Sequence, residues 1–286
     1  MNKIAATGPN ADQITCWNES MGEKWARNQE TLDQFLLPVN KRLMEFARIA
    51  PGDSILDVGC GCGATSRAAA ARAGERGRVL GVDISAPMLE RAKTLGGGPA
   101  VTYLLADAAT HAFAQRSFDL AVSRFGVMFF ADSVSAFANI RTVLEPGGRL
   151  AFVCWQDMRA NPFATVPLFA ALPHLPPQPP ADPLAPGPFA FADPERVKRI
   201  LSDAGFSKIE IVPESFKLLQ SRGGPGALDD AVYFATEIGP TSRLLNEASP
   251  EARAAAIAAI REALAPHVTA EGVALGAQCW LVGAAA

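Results

Sequence analysis

Between residues 54 and 155 the chain alternates short apolar runs with longer amphipathic segments. The apolar runs predict buried strands at 54–58, 78–83, 101–106, 118–122 and 149–155. The segments between them predict helices at 64–72 and 134–144, and a third that is capped by Ser85 and ends at the glycines 96–98. Strand–helix alternation over about a hundred residues is typical of a parallel, doubly wound α/β sheet.

Further elements are predicted on both sides of this unit. Residues 11–50 favour two helices that are broken near Pro38, and Trp17, Met21 and Trp25 recur every four residues on one apolar helical face. After residue 205 the pattern predicts strands at 209–219 and 274–282, with helices at 229–238 and 250–265 between them.

Residues 162–194 differ in composition from the rest of the chain. They hold eleven of the 22 prolines together with four phenylalanines, Phe163, Phe169, Phe189 and Phe191. Disordered linkers are poor in aromatic residues. We therefore expect an ordered cover that packs on the rest of the molecule.

Composition excludes several classes of protein. Hydrophobic residues make up 49% of the 286 positions, which is ample for a buried core, and the net charge of −3 without a basic stripe gives no indication of a nucleic-acid partner. Five cysteines without a CxxC spacing predict neither a disulfide framework nor a metal site. The sequence shows no secretory leader and no run that would span a membrane. We expect a cytoplasmic protein, a monomer or homodimer.

A glycine-rich turn follows the first strand and opens the first helix of the alternating unit. Gly59, Gly61 and Gly63 would let the backbone approach a ligand closely, and the helix offers free N–H groups. Asp83 ends the next strand, 20 residues after Gly63, where a carboxylate accepts from ribose hydroxyls. The pattern predicts a cofactor that carries a ribose.

The spacing of the glycines separates two kinds of cofactor. Dinucleotide sites space their glycines as G-x-G-x-x-G, whereas this turn is G-x-G-x-G and follows Asp57 by two residues. A carboxylate there would repel a pyrophosphate and attract a cationic amino-acid group. The turn resembles motif I of the class I S-adenosylmethionine-dependent methyltransferases. The resemblance covers about residues 50–155 and is greatest for the subgroup that includes the ubiquinone/menaquinone-biosynthesis C-methyltransferases.

That resemblance implies a fold and a division of the chain. The sheet would have seven strands in the order 3-2-1-4-5-7-6, mostly parallel with strand seven antiparallel. The parts would be an N-terminal helical lid (1–50), a cofactor-binding α/β core (51–156), a proline-rich cap with a helix (157–204), and C-terminal strands with a helical insertion at 225–266 (205–286).

The resemblance also assigns roles to individual residues. Asp57 would attract the ammonium of S-adenosylmethionine, Asp83 would accept from the ribose, and Asp107 would accept from the adenine amine. The other residues expected at the cofactor are Gly59, Cys60, Gly61, Gly63, Ile84, Met88, Ala108, Ser123, Arg124 and Trp25. Ile84 and Met88 would sandwich the adenine, and the Ala108 N–H would donate to a ring nitrogen. The product would be S-adenosylhomocysteine.

The substrate side of the site is less defined. Phe129, Phe163, Phe189, Phe191 and Tyr233 favour a small apolar or aromatic substrate, although the same side chains could form the core of the cap. His111 is a candidate general base or a surface histidine. Arg124 could reach the cofactor carboxylate or a substrate acid, or could form a surface ion pair.

Three alternatives to a methyltransferase stay open at this point. They are a protein that binds S-adenosylmethionine without methyl transfer, a protein that uses the same cofactor for different chemistry, and an NAD-dependent oxidoreductase. The spacing of the glycines and the presence of Asp57 disfavour the last of these.

Overall fold

The computed structural model of the chain describes residues 4–177, 182–239 and 241–286. Small parts of the predicted lid (1–3), cap (178–181) and C-terminal insertion (240) lie outside the described residues. None of the helices in the described ranges is long and apolar enough to cross a membrane.

A mixed β-sheet forms the centre of the molecule. Its strands are β1 (Ser54–Val58), β2 (Arg78–Asp83), β3 (Val101–Leu105), β4 (Phe118–Arg124), β5 (Leu144–Trp155), β6 (Ser207–Leu219), β7 (Val268–Thr269) and β8 (Gly272–Ala285). The order is β3-β2-β1-β4-β5-β8-β6, with β1 to β5 parallel and β8 antiparallel to both of its neighbours. All five residues of β1 are buried, as expected for a parallel strand covered on both faces. The predicted fold class and strand order are confirmed.

The number of strands differs from the prediction. The structure has eight strands because the two-residue β7 folds back on the start of β8, pairing Val268 with Val273 and Thr269 with Gly272. The Thr269 hydroxyl donates to the Gly272 carbonyl at 2.7 Å, and Gly272 adopts a φ of +127° in this turn. This hairpin is too short to produce an alternating pattern in the sequence.

Twelve α-helices lie in the described part of the chain. They are α1 (Ala11–Asn18), α2 (Ser20–Arg27), α3 (Gln29–Phe35), α4 (Leu37–Phe46), α5 (Ala64–Ala73), α6 (Ala86–Leu95), α7 (Ser133–Val143), α8 (Pro162–Ala171), α9 (Pro194–Asp203), α10 (Ala227–Glu237), α11 (Thr241–Asn246) and α12 (Pro250–Leu264). The short α11 was not predicted. The helices α8, α10, α11 and α12 enclose a small apolar core of their own, which includes Leu168, Val232, Leu245 and Ile260.

The N-terminal region has four short helices, so the prediction of two helices broken near Pro38 is wrong. Glu19 ends α1 because its ψ of −144° is not helical, and further breaks occur at Asn28 and Leu36. Pro38 lies in the first turn of α4, where a missing N–H costs no hydrogen bond. Trp17 and Trp25 consequently belong to different helices.

The start of α6 also differs from the prediction. Ser85 precedes this helix but does not cap it, because its hydroxyl donates to the Trp17 carbonyl at 2.7 Å. The side-chain oxygen of Asn18 instead accepts from the Ala86 N–H at 3.0 Å, and its amide donates to the Ile84 carbonyl at 2.7 Å. A residue of α1 therefore caps α6, and the N-terminal helices are docked on the turn that follows β2.

Candidate functional site

A cavity lies at the carboxyl ends of β1, β2 and β3. Parallel strands end at one edge of a sheet, so the residues that follow them meet there. The cavity is lined by Asn10, Gln13, Val58, Gly59, Val82, Asp83, Ile84, Ala106, Asp107, Ala108, Gly126, Phe129 and Phe130. Six of the predicted site residues are in this lining. Residues at the ends of these three strands supply most of the wall, and Gly126, Phe129 and Phe130, which follow β4, complete it together with Asn10 and Gln13.

The glycine-rich turn adopts the backbone conformations that its sequence suggests. Gly59 has a φ of +68°, and a Cβ atom there would lie 2.7 Å from the Cα atom of Gly126. Gly61 has a φ of +54°, and its Cβ would meet the methyl group of Met88 at 2.8 Å. Gly63 precedes the first residue of α5. A side chain at Gly59 would therefore close the gap between this turn and the end of β4.

Cys60 and Cys62 are both buried beside this turn. Burial raises the pKa of the Cys62 thiol to about 12, and it raises the pKa of the Cys60 thiol as well. Such thiols are poor nucleophiles because they are not ionised near neutral pH. Their role is to fill space in the turn.

Asp83 holds the turn against the end of β2. One carboxylate oxygen accepts from the Gly61 N–H at 2.7 Å, and the other accepts from the Ser85 N–H at 2.8 Å. Burial raises the pKa of Asp83, whereas these hydrogen bonds act in the opposite direction. Each oxygen keeps a second lone pair that can accept from a hydroxyl group of a ligand.

Asp107 occupies the equivalent position after β3. Its Oδ1 atom accepts from the Ala109 N–H at 2.9 Å, and the amide of Asn10 donates to both carboxylate oxygens. Ala108 lines the cavity next to Asp107. Asn10 lies 97 residues away in the sequence, and no local pattern links it to this site.

A buried polar cluster lies beside the glycine-rich turn. The Ser66 hydroxyl donates to Oδ2 of Asp57 at 2.6 Å, while Oδ1 has no hydrogen-bond partner among the described residues. Nη1 of Arg124 is likewise buried without a partner there, and Nη2 lies 3.9 Å from Oδ1 of Asp33. Asp33 also pairs with Arg67 at 3.4 Å. The cluster therefore presents one free acceptor and one free cationic donor.

Burial shifts the pKa values of Asp57 and Arg124 in opposite directions. It raises the pKa of Asp57 to about 7, against the hydrogen bond from Ser66 and the charge of Arg124. It lowers the pKa of Arg124, against the charges of Asp33 and Asp57. The Arg124 side chain is 13% exposed and its partner Asp33 is 24% exposed, so this ion pair lies mostly below the surface.

Ser123 and Trp25 have different surroundings. The Ser123 hydroxyl donates to the Val58 carbonyl at 2.7 Å and accepts from the Gly126 N–H at 3.2 Å, so it ties β4 to β1. The ring of Trp25 meets that of Trp17 edge to face at 5.4 Å, and its Nε1 atom is buried without a hydrogen-bond partner among the described residues. Trp25 is not part of the cavity lining.

Two further predicted residues lie away from the cavity. Met88 packs its methyl group towards Gly61 and is not in the lining, so Ile84 forms this part of the wall without it. His111 contacts Phe113 at 4.5 Å and lines a separate depression together with Ile4 and Ile14. This depression also includes Asp107, so His111 lies beside the β3 end of the cavity and not in its lining.

The predicted substrate aromatics are scattered. Phe129 lines the cavity and meets Trp17 edge to face at 5.4 Å. Phe163 packs on Trp155 at 4.6 Å, at the end of β5, and Phe189 is half-buried against the main core. Tyr233 is 54% exposed on α10.

Phe191 corrects the prediction that the phenylalanines of the cap face the substrate. It is 1% exposed and packs against Phe137 and Phe152 in the main core. This burial leaves it no surface to offer a ligand. Phe169, in contrast, is 53% exposed on α8 and faces outward.

An aromatic cluster extends from Phe163 across the ends of β4 and β5. Phe125 has a φ of +62°, which is rare for a residue with a bulky side chain, and its ring stacks on Trp155 at 4.0 Å. Phe163 also meets Phe35 of α3, which in turn packs on Phe234 of α10. The cluster joins the sheet edge to both the N-terminal and the C-terminal helices.

Comparisons with known proteins agree with this geometry. Residues 56–152 match the profile of a family described as "Methyltransferase domain". Aklanonic acid methyltransferase DauC from Streptomyces sp. (strain C5) is 33% identical over 175 residues, which cover 58% of this chain and 74% of that protein.

Two other relatives match over shorter stretches. Nocamycin O-methyltransferase from Saccharothrix syringae is 37% identical over 121 residues, 41% of this chain and 43% of that protein. The ubiquinone/menaquinone biosynthesis C-methyltransferase UbiE from Paraburkholderia phymatum is 38% identical over 106 residues, 36% of this chain and 44% of that protein. The chain thus spans less than half the length of these two relatives.

Solved structures share the fold at low sequence identity. The YcgJ protein from Bacillus subtilis superposes with a TM-score of 0.55 at 18% identity, covering 87% of this chain and 98% of that one. Phosphoethanolamine N-methyltransferase 2 from Haemonchus contortus has the same TM-score and identity, covering 93% and 60%.

The chain belongs to the class I S-adenosylmethionine-dependent methyltransferases. It is therefore an enzyme that uses S-adenosylmethionine as its cofactor, and the predicted resemblance is confirmed. The comparisons support neither an NAD-dependent oxidoreductase nor a binding protein without methyl transfer.

Proposed function

We propose that the cavity binds the adenosine half of S-adenosylmethionine. The observation that carries this assignment is the position of Asp83 and Asp107, which lie at the carboxyl ends of two adjacent parallel strands and line the same cavity. Asp83 accepts from the ribose hydroxyls, and Asp107 accepts from the adenine amine. Ile84 and Phe129 flank the ring, and the Ala108 N–H donates to a ring nitrogen.

The buried polar cluster complements the amino-acid half of the cofactor. A free amino acid carries an ammonium and a carboxylate, and the cluster offers one unpaired acceptor and one unpaired cationic donor. Oδ1 of Asp57 takes the ammonium, and Nη1 of Arg124 takes the carboxylate. The backbone at Gly59 leaves room for the chain between them, because a Cβ atom there would fill the gap to Gly126.

The chain catalyses the reaction through binding, orientation and exclusion of water. When bound, S-adenosylmethionine supplies a methyl group that is already activated on a sulfonium sulfur. The protein adds proximity and alignment. Phe129 lines the cavity and Trp17 and Trp25 pack behind it edge to face, so these three rings form an aromatic wall that shields this side of the site from water.

The acceptor is proposed to be a small apolar or aromatic molecule. Support comes from the aromatic cluster at the ends of β4 and β5, where Phe163 lies between Trp155 and Phe35. The names of two relatives, an aklanonic acid methyltransferase and a nocamycin O-methyltransferase, are consistent with small-molecule acceptors. The proposed site of action is the cytoplasm, and the proposed assembly is a monomer or homodimer without nucleic acid.

A methyl-transfer screen tests this proposal. The purified chain is incubated with S-adenosylmethionine and panels of phenols, aromatic carboxylic acids, quinols and amines, and release of S-adenosylhomocysteine is measured for each. We expect turnover with at least one aromatic hydroxyl, acid or ring carbon. Turnover restricted to polar amines would contradict the proposed substrate class, although it would leave the cofactor site intact.

A further inference from the structure

Asn10 lies at the rim of the cavity and connects two parts of its wall. Its Nδ2 atom lies 3.0 and 3.1 Å from the two oxygens of Asp107, and its Oδ1 atom accepts from the Ala131 N–H at 2.8 Å. Asp107 follows β3, whereas Ala131 follows the two phenylalanines that line the opposite side. A single side chain therefore bridges the end of the cavity that Asp107 forms.

The Asn10 side chain is well placed to fix the orientation of the Asp107 carboxylate. Asn10 is 3% exposed, so water does not compete for these hydrogen bonds. Its amide spans both carboxylate oxygens, and the Ala109 N–H at 2.9 Å holds Oδ1 from the other direction. The Thr110 hydroxyl, at 3.5 Å from Oδ2, is at the limit of a hydrogen bond.

These bonds leave capacity for a ligand. A carboxylate offers about four acceptor positions. Oδ1 accepts from both the Asn10 amide and the Ala109 N–H, whereas Oδ2 accepts from the Asn10 amide and has only the distant Thr110 hydroxyl beside it. Oδ2 therefore keeps a position for a further donor. A ring amine fits such an acceptor, whereas a ring carbonyl would meet a fixed negative charge and be repelled.

We propose that Asn10 is a positioning residue that makes the site selective for a 6-amino purine by holding Asp107 as a rigid acceptor. The proposal rests on the assignment of the cavity to the adenosine half of the cofactor. Without the amide, Asp107 rotates or takes up water, and the site loses part of its power to reject an oxygen at the same ring position. Asn10 acts through Asp107 and is not itself a catalytic residue.

The test compares two ligands that differ at one ring substituent. S-adenosylhomocysteine carries the amine, and S-inosylhomocysteine, its deaminated form, carries a carbonyl oxygen. The dissociation constants of both are measured by calorimetry for the wild-type chain and for Asn10→Ala. We expect the preference for the amine to fall by about tenfold in the variant, as for a lost hydrogen bond to a charged group.

Asn18→Ala is the matched control. Asn18 is also a buried asparagine at an end of α1, and it docks this helix on the start of α6 by donating to the Ile84 carbonyl and accepting from the Ala86 N–H. This control should weaken both ligands by the same factor and leave their ratio unchanged. If Asn10→Ala lowers the melting temperature too far for titration, Asn10→Ser is measured in its place. Serine also suits the start of a helix, but its side chain is shorter.

Three results would overturn the inference. Equal weakening of both ligands by Asn10→Ala would show that Asn10 only docks the N-terminal helices. Tighter binding of S-adenosylhomocysteine by the variant would show that the amide competes with the adenine amine. A wild-type chain that binds neither ligand would overturn the proposed cofactor site, and the inference with it, so the two failures are distinguishable.

Discussion

Asp57 is a buried carboxylate whose charge depends on pH near neutrality. Burial raises its pKa to about 7, from an ordinary value near 4. Because the folded state holds this proton more tightly than the unfolded state, Asp57 favours folding at low pH. That contribution decreases as the pH rises from about 4 to about 7. An ammonium placed at its free oxygen would have the opposite preference, since it stabilises the ionised form.

Binding of S-adenosylhomocysteine should therefore depend on pH. Below pH 7 the ligand-free site is protonated at Asp57, and binding of the ammonium releases that proton. We expect the dissociation constant to increase by up to about tenfold for each pH unit below 7, and to be constant above about pH 8. Calorimetry between pH 5.5 and 8.5, in buffers of different ionisation enthalpy, measures both the affinity and the proton release.

Asp57→Asn provides the control for this prediction. The amide has nearly the same shape, can still accept from Ser66, and does not titrate. Its affinity should be lower than that of the wild type at pH 8 and should vary little with pH. A wild-type affinity that is the same at pH 5.5 and 8.5 would mean that Asp57 does not face the ammonium.

Only some of the residues of the site could be predicted from the sequence. Asp57, Asp83 and Asp107 could be found because each stands at a fixed distance from a strand end or a glycine. Asn10 and Asp33 could not, because they reach Asp107 and Arg124 from the residue before α1 and from α3, respectively. Such partners depend on how the N-terminal region docks on the sheet, and the periodicity of apolar residues in the sequence does not reveal that docking.

Among the elements, α2 packs very closely on the start of α6. A Cβ atom at Gly22 would lie 2.6 Å from the Ser85 hydroxyl and 2.9 Å from the ring of Pro87. It would also lie 2.0 Å from the Trp17 carbonyl. The absence of a side chain at Gly22 is what allows the two N-terminal helices to approach the turn after β2.

Gly22→Ala should displace these helices although alanine favours a helix more than glycine does. We expect a lower melting temperature, weaker binding of S-adenosylhomocysteine and faster amide exchange in α1 and α2, because the steric conflict involves backbone and a proline ring. Differential scanning fluorimetry, calorimetry and exchange mass spectrometry measure the three effects. Gly226→Ala is the control, because a Cβ atom at Gly226 meets open space.

The prediction would be contradicted by a Gly22→Ala chain that behaves like Gly226→Ala in all three measurements. In that case α2 would accommodate the methyl group by a small shift, and close approach to α6 would not be required for cofactor binding.

The proline-rich segment divides into two parts that pack against different neighbours. Phe163, at the start of α8, packs on Trp155 and Phe35 in the aromatic cluster. Phe191 lies after residues 178–181 in the chain and packs in the main core. The guanidinium of Arg196 lies 5.9 Å from the centre of its ring. Composition predicted an ordered cover, but it could not show which phenylalanine faces which core.

Two alanine variants should separate these parts. Phe191→Ala leaves a cavity in the core and should lower the free energy of unfolding by about 3–5 kcal/mol. Phe163→Ala should leave S-adenosylhomocysteine binding unchanged and lower turnover of the acceptor found by the screen, because it removes a wall of the proposed substrate site. Urea unfolding and steady-state kinetics measure the effects.

Each variant tests the role assigned to one of the two phenylalanines. If Phe163→Ala leaves both kcat and KM for the acceptor unchanged, the aromatic cluster is structural and the substrate binds elsewhere. If Phe191→Ala is as stable as the wild type, the assignment of Phe191 to the core is wrong.

On the scale of the whole molecule, the N-terminal helices connect the sheet with the C-terminal helices. Lys24 of α2 donates to the Ser242 hydroxyl at 3.2 Å and lies 3.8 Å from Glu237 at the end of α10. Arg222, before α10, donates to the Gln34 side chain of α3 at 2.7 Å. These polar contacts are partly exposed, and contacts of this kind are individually weak. Breaking and re-forming such contacts therefore costs little free energy.

We therefore expect the N-terminal lid and α10 to respond together when the cofactor site is filled. Amide exchange of residues 11–30 should be fast in the ligand-free chain and slow when S-adenosylhomocysteine is bound, and residues 227–237 should slow in the same titration. Closure of this kind excludes water during transfer and permits release of product. Trp25→Ala, which removes one ring of the aromatic wall, should reduce turnover more than it reduces the melting temperature.

Lys24→Ala should keep the response of residues 11–30 and weaken that of residues 227–237. This variant removes the contacts of Lys24 with Ser242 and Glu237 but leaves the aromatic wall closed. Exchange that is equally slow with and without ligand would mean that the N-terminal helices are fixed core. A response confined to residues 11–30 in the wild type would mean that the lid closes independently of α10.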